Sequence, residues 1–260
     1  MQMDRYKIRR SKINRIFISH LHGDHYFGLI GLLTTMGLLG RKSELHVYGP
    51  EQLKVIIDLQ LKVADAHLPY SLHFHSLQQE GVIADEAKIT VECFKVKHRI
   101  ECWGFLFREK KKPRKIDKDK IALYDIPATS LEKLKTGENV TEKNGREIAN
   151  ELVTLPNSPA RSYAFCADTL YEEEVAEKVK NVSLLYHETT YLKILEERAA
   201  LRFHSTTEQA AKIAAKAQAK RLLIGHFSSK YEKLDEFLQE TREVFPATEL
   251  AVEGCTFRVT

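Results

Sequence analysis

Cysteine is scarce in this 260-residue chain, and Cys93, Cys102, Cys166 and Cys255 stand far apart, with no CxxC pair among them. Neither a zinc ribbon nor a disulfide framework is therefore expected, and free thiols suit a reducing compartment. No run of about 18 apolar residues occurs, which speaks against a transmembrane helix. The start, Met1-Gln2-Met3-Asp4-Arg5-Tyr6-Lys7, lacks the apolar stretch of a signal peptide. A cytoplasmic protein without membrane contact is the expectation. Internal repeats, Walker loops and GxGxxG loops are absent too. A formal charge of +4 is only mildly basic, so it favours an anionic partner weakly by itself. At 43% hydrophobic composition, one sizeable core spanning residues 1–260 is sufficient.

Histidine, by contrast, is concentrated. The block His20-Leu21-His22-Gly23-Asp24-His25-Tyr26 ends the apolar run Ile16-Phe17-Ile18 and precedes Gly28-Leu29-Ile30-Gly31-Leu32-Leu33, which reads as a buried helix. Residues two apart on an extended strand end point the same way, so His20 and His22 aim at one cation. Asp24 and His25, on the turn into the helix, face a second position nearby. A lone histidine there is usually a satisfied core or capping residue. Four such groups crowded against an apolar helix would, without a metal, strand several polar atoms at roughly 1–3 kcal/mol each.

This block resembles the HxHxDH signature of the metallo-β-lactamase superfamily, and its continuation His25–Leu33 is similar to the ribonuclease Z family of tRNA 3′-processing endonucleases. The remaining motifs fall in that family's order. The strand Ile89–Val96 delivers His98, Ser162–Thr169 carries Asp168, and Val182–Tyr186 leads to His187-Glu188-Thr189-Thr190, which resembles the family's HEAT motif. His204-Ser205-Thr206 opens a helix over 206–220, and Arg221–Tyr231 presents His226. Ser205 with Glu208 reads as that helix's capping box. The resemblance implies a fold of mixed α/β class, a four-layer αββα sandwich with every ligand at a strand end. It also implies two Zn²⁺ ions, one held by His20, His22, His98 and Asp168, the other by Asp24, His25, Asp168 and His226. Imidazole and carboxylate ligands tolerate Mn²⁺ or Fe²⁺ as well.

Two such ions about 3.5–4 Å apart lower the pKa of a water between them and stabilise an in-line phosphoryl displacement. On this reading Asp24 orients the attacking hydroxide, while His204, held by Glu188, protonates the leaving ribose oxygen, a step worth typically 10²–10⁴-fold. The implied products are a tRNA 3′-hydroxyl and a trailer with a 5′-phosphate.

Between the strands bearing His98 and Asp168 lies a basic insertion over 108–155. A charge run is usually just a solvated face. Here Lys110, Lys111, Lys112, Arg114 and Lys115 fall where the family carries its flexible tRNA-binding arm, so they are expected to neutralise the phosphates of precursor tRNA. The stretches Thr136–Arg146 and Pro156–Pro159 read as loops, and the arm lacks the family's Gly-Pro. His73 and His75, on an alternating strand without a following Asp-His, read as one polar face rather than ligands; His46 and His67 read the same way. A closing hairpin, Glu249–Val252 with Thr256–Val259, is expected around Gly254. The family places an N-terminal β segment before the metal motif, yet only nineteen residues precede His20, so the start reads as truncated and its sheet as open-edged. The resemblance also implies a homodimer, one subunit's arm serving the other's site. Two other functions stay open: another binuclear hydrolase of this fold, such as a phosphodiesterase, arylsulfatase-like enzyme or thioesterase, and a catalytically impaired RNA-binding protein.

Overall fold

The computed structural model describes residues 2–260. Two compact units emerge. The first comprises the chain up to Asp85, Thr90–Phe107 and Ser162–Thr260; the second comprises Glu86–Ile89 and Arg108–Arg161.

In the first unit, strands β1 (Arg15–Phe17), β2 (Leu45–Gly49) and β3 (Leu72–Ser76) form a parallel three-stranded sheet. Parallel neighbours need crossovers, and helices α1 (Gly28–Leu38) and α2 (Gln52–Val63) supply them. Strand alternation sends Leu45 and Val47 to the helix side, where they meet Leu29, Leu33, Leu53 and Ile57 in one buried cluster. Helix α2 ends where the chain turns at Ala64 and enters a left-handed conformation at Asp65.

The larger sheet contains β4 (Gly81–Asp85), β5 (Ile89–Val96), β6 (Cys102–Glu109), β7 (Ser162–Cys166), β8 (Leu184–Glu188), β9 (Leu222–Gly225) and β10 (Thr248–Leu250), ordered β10-β9-β8-β7-β6-β5-β4. From β7 to β10 the neighbours run parallel. Helices α3 (Glu174–Lys178), α4 (Thr207–Lys216) and α5 (Asp235–Val244) cover it, burying Val175, Ala176, Ile213, Ala214 and Phe237 against Leu185, Leu222 and Ile224. On the inner side Phe17 of β1 meets Phe105 and Phe107 of β6 at ring separations of 5.3 and 5.4 Å. Helix, sheet, sheet, helix is thus the layer order. Among the described residues, no helix is long and apolar enough to cross a membrane.

Two local expectations need correction. The capping box of α4 uses Thr206 and Gln209, not Ser205 and Glu208. The Ser205 hydroxyl instead donates to the Thr169 carbonyl at 2.7 Å, and Glu208 pairs with Lys193 and Lys212. At the C-terminus no hairpin forms. Glu249 and Leu250 pair in parallel with Leu223 and Ile224, and residues 256–259 form no strand.

The second unit has a core of its own, Leu134, Val140, Ile148 and Val153, beneath its basic surface. Part of the stretch read as loop is a small hairpin, Val140–Thr141 against Glu147–Ile148. Buried Asn150 secures it by donating to the carbonyls of Leu134 and Glu138, and its side-chain oxygen accepts from Thr154. At the ends of the segment Arg161 pairs with Glu109, and the two backbones bond at 2.8 Å. The cations Lys110, Lys111, Lys112 and Lys115 are exposed here, whereas Arg114 is half-buried and donates to Thr154 at 2.8 Å.

Candidate metal centre

Parallel strands that begin together also end together, and the C-terminal ends of β7, β8 and β9 lie side by side: Cys166 pairs with His187, and Glu188 with Gly225. Asp168, Glu188 and His226 therefore emerge at one edge. The chain leaving β1 joins this edge through a bond from the Trp103 amide to the Ser19 carbonyl, 3.0 Å. It brings His20, His22, Asp24 and His25 with it. His22 stands just before the short helix Gly23–Tyr26 without capping it, and that turn carries Asp24 and His25 toward the same space.

Around the Asp168 carboxylate the imidazoles converge. Oδ2 lies 3.4 Å from His25 Nε2, 3.7 Å from His20 Nε2 and 3.9 Å from His98 Nε2; Oδ1 lies 3.4 Å from His226 Nε2. Asp24 Oδ2 lies 3.3 Å from His25 Nε2 and 3.6 Å from His226 Nε2. His98 Nε2 and His22 Nδ1 are 3.1 Å apart. The donor atoms of His20, His22, His98 and Asp168 all lie within 4.8 Å of one another; so do those of Asp24, His25 and His226, and those of Asp168, His204 and His226.

These separations suit a cation better than hydrogen bonds. Donors held 2.0–2.1 Å from a tetrahedral ion sit about 3.3–3.4 Å from each other. His20 Nε2, His25 Nε2 and Asp168 Oδ1 are buried without a hydrogen-bond partner. Native interiors rarely leave such atoms unmatched.

The electrostatics agree. Burial, then the neighbouring His25, push His20 down to about 3, so its ring is neutral and ready to ligate. Burial lowers His22 and His98 as well. Burial alone would raise Asp168, but the imidazoles of His25, His226 and His20 outweigh it and hold the carboxyl well below the usual range.

Outer partners fix the rings, as metal-ligating imidazoles require. His98 Nδ1 donates to the Phe203 carbonyl at 2.9 Å, and His226 Nδ1 lies 2.9 Å from the Thr190 hydroxyl. His20 Nδ1 has Ser19 Oγ at 3.1 Å and Cys102 Sγ at 3.4 Å. Phe203 and His226 both adopt left-handed backbone conformations, φ 58° and 61°. Such residues are uncommon outside glycine and gather at functional sites.

Beside the cluster, Glu188 is fully buried and accepts from the amides of Thr169, Thr190 and Ser205 and from the Thr190 hydroxyl, at 2.8–3.2 Å. His204 Nδ1 stands 3.0 Å from its remaining face. Burial works against a charged His204, yet the Glu188 carboxylate prevails and raises its pKa. His187 takes no part, its Nδ1 donating instead to the Glu188 carbonyl. Sequence reasoning assigned no role to Ser19, Cys102, Thr190 or the Phe203 carbonyl. Thr190 alone had a signal, its place two residues after Glu188.

The fold and this site define a metallo-β-lactamase-fold protein with a histidine-rich centre whose donor groups are placed to hold metal. The short form of human tRNase Z superposes with a TM-score of 0.70 at 22% identity, over 99% of this chain and 83% of that one. A metallo-β-lactamase fold protein of Bacillus subtilis gives 0.63 at 17% identity, over 95% and 78%. No family model matches. Relatives decide the finer question: Ribonuclease Z of Bacteroides thetaiotaomicron is 41% identical over 256 residues, 98% of this chain and 81% of that protein. Ribonuclease Z of Cytophaga hutchinsonii is 44% identical over 241 residues, 91% and 76% of the two chains. The chain belongs to the ribonuclease Z family.

Proposed function

We propose that this protein is a zinc-dependent endoribonuclease that removes the 3′ trailer from precursor tRNA, leaving a 3′-hydroxyl on the tRNA and a 5′-phosphate on the trailer. The observation carrying this reading is Asp168, flanked by one imidazole set on each side, with His204 held by Glu188 at the rim. His20, His22, His98 and Asp168 would hold one ion, and Asp24, His25, Asp168 and His226 the other; zinc suits these donors, and Mn²⁺ or Fe²⁺ is tolerated. Two bound ions supply Lewis-acid charge for an in-line phosphoryl displacement and lower the pKa of water.

The chain's own groups do the rest. Asp24, with its side chain 68% exposed, orients the attacking water and accepts its proton. The scissile bond joins phosphorus to the tRNA 3′ oxygen, and His204 Nε2 protonates that oxygen as it leaves. Glu188 holds His204 Nδ1, setting the tautomer and favouring the protonated ring.

Lys110, Lys111, Lys112, Arg114 and Lys115 of the second unit bind tRNA phosphates. A homodimer is part of the same reading: Val55, Leu59 and Val63, spaced four apart along α2, are exposed apolar side chains on one stripe. The reduced thiols fit action in the cytoplasm.

Cleavage of a 3′-extended precursor tRNA tests the activity, with Asp24→Ala as the control expected to lose cleavage while retaining tRNA affinity. Replacing residues 108–155 by a short linker should abolish precursor cleavage but spare hydrolysis of a small phosphodiester. Unchanged precursor cleavage would sink the arm's role, and cleavage of neither substrate by the intact, metal-loaded chain would sink the enzyme.

A further inference from the structure

The helical turn Gly23–Tyr26 runs on into α1. Phe27 joins them in helical conformation, φ −57° and ψ −28°, so the chain winds in one direction from Asp24 to the end of α1. At this winding Asp24, Phe27, Gly28 and Gly31 fall on one face, and all four are exposed. Phe27 is the anomaly there, a large apolar ring left 72% exposed. The ring is nonetheless held. It lies against Gly23, where an added Cβ would come 2.3 Å from its Cε2, and it meets the Tyr26 ring edge-on with centroids 5.0 Å apart. Beside it the face is bare, because a Cβ added at Gly28 or Gly31 would point into open space.

We propose that Phe27 is the platform on which the first base of the trailer stacks. This rests on the reading of the Asp168 centre as the cleavage site for precursor tRNA. In-line displacement sets the entering water and the leaving 3′ oxygen on opposite sides of phosphorus. Asp24 serves the first and His204 the second, so the tRNA end lies toward His204. The trailer hangs on a different phosphate oxygen and is the strand free to turn along the Asp24 face. Residues three apart on a helix have Cβ atoms about 5–6 Å from each other, so Phe27 stands directly beside Asp24.

Unpaired nucleotides are gripped in this way, with an aromatic face for the base and open room for sugar and phosphate. Gly28 and Gly31 leave that room on the next turn of the helix. The same neighbours argue against a second protein subunit as the occupant: Asp24, Gly28 and Gly31 add no apolar side chain to the ring, whereas the core of a subunit interface is a continuous apolar patch. A π-face accepts every base, so the platform selects for an unpaired nucleotide after the scissile bond and not for its identity.

Two precursor tRNAs test this, one with an ordinary first trailer nucleotide and one with an abasic residue there, each given to metal-loaded wild type, Phe27→Tyr and Phe27→Ala. Wild type and Phe27→Tyr are expected to lose about 5- to 150-fold in kcat/KM on the abasic substrate, the worth of one base stack. Phe27→Ala should show that loss already on the ordinary substrate and none beyond it on the abasic one, with metal content and oligomeric state unchanged. Iodouridine as the first trailer base should photo-crosslink to Phe27 in Asp24→Ala, which is expected to bind without cutting. Equal cleavage of both substrates by wild type, or a crosslink elsewhere, would overturn the platform and leave the endonuclease standing. A crosslink at Phe27 with no cleavage by wild type would keep the platform and sink the endonuclease. Dissociation of a dimer in Phe27→Ala would overturn the proposal by assigning the ring to a subunit contact.

Discussion

Replacing Glu188 by glutamine keeps the side chain's shape and reverses its hydrogen-bond chemistry. In the native site both carboxylate oxygens only accept: Oε1 from the amides of Thr169 and Ser205, with His204 Nδ1 at 3.0 Å, and Oε2 from the amide and hydroxyl of Thr190. An amide has one accepting atom and one donating group, so whichever way it turns a buried N–H is opposed by another N–H. If the NH₂ takes the Oε2 position, the Thr190 amide is stranded; if it takes Oε1, the Thr169 and Ser205 amides are. One unmade bond to a buried donor costs about 1–3 kcal/mol, and loss of charge weakens the bonds that remain, so Glu188→Gln should cost ~2–4 kcal/mol. His204 loses the carboxylate that raises its pKa, and precursor cleavage should fall by up to the 10²–10⁴-fold that general acid catalysis typically supplies. Urea unfolding followed by circular dichroism reads the first effect, and single-turnover cleavage at saturating metal reads the second. An unchanged unfolding midpoint with near-native cleavage would refute the assigned role, and loss of metal in proportion to activity would make Glu188 a support for the ligands instead.

Three further changes probe the framework. A Cβ added at Gly104 would stand 2.3 Å from carbons of the Phe94 ring, so Gly104→Ala should overpack the large sheet at a cost of about 1–3 kcal/mol, read from the urea midpoint. Leu134→Ala removes the centre of the second unit's core and should cost that unit about 2–5 kcal/mol, seen as faster amide exchange at Val140 and Ile148 while Leu185 and Ile224 stay protected. Hydrogen bonding to Arg161 depresses Glu109 to about 2, so the pair steadies the ends of the Arg108–Arg161 segment fully above pH about 4.5, less as pH falls, and not below about 2. Limited proteolysis near Pro156 should separate Glu109→Gln from wild type at neutral pH and not near pH 2; a difference persisting in acid would refute the pairing.

The main centre was legible because its information is local. His20 and His22 share a strand end, Asp24 and His25 share the turn that follows, and a chemistry requiring several donors leaves them crowded in sequence. The isolated candidates His98, Asp168 and His226 were visible only by resemblance, since one histidine or aspartate after a strand has many ordinary uses. The parallel register of β7, β8 and β9 brings Asp168 and His226 together, and the long-range order of the sheet brings in His98 from the end of β5, neither of which any short stretch encodes. Tertiary contacts also decided the details that local rules misjudged. Ser205 looked like a helix cap until Thr169 claimed its hydroxyl, and the second unit read as a basic insertion with loops until Leu134, Val140, Ile148 and Val153, spread over twenty residues of chain, met in one core. His46 and His73 each read as part of a polar strand face. Only pairing of β2 with β3 sets their rings side by side under Glu44, because strand register is fixed by the whole buried face and not by the residues that happen to lie on the other.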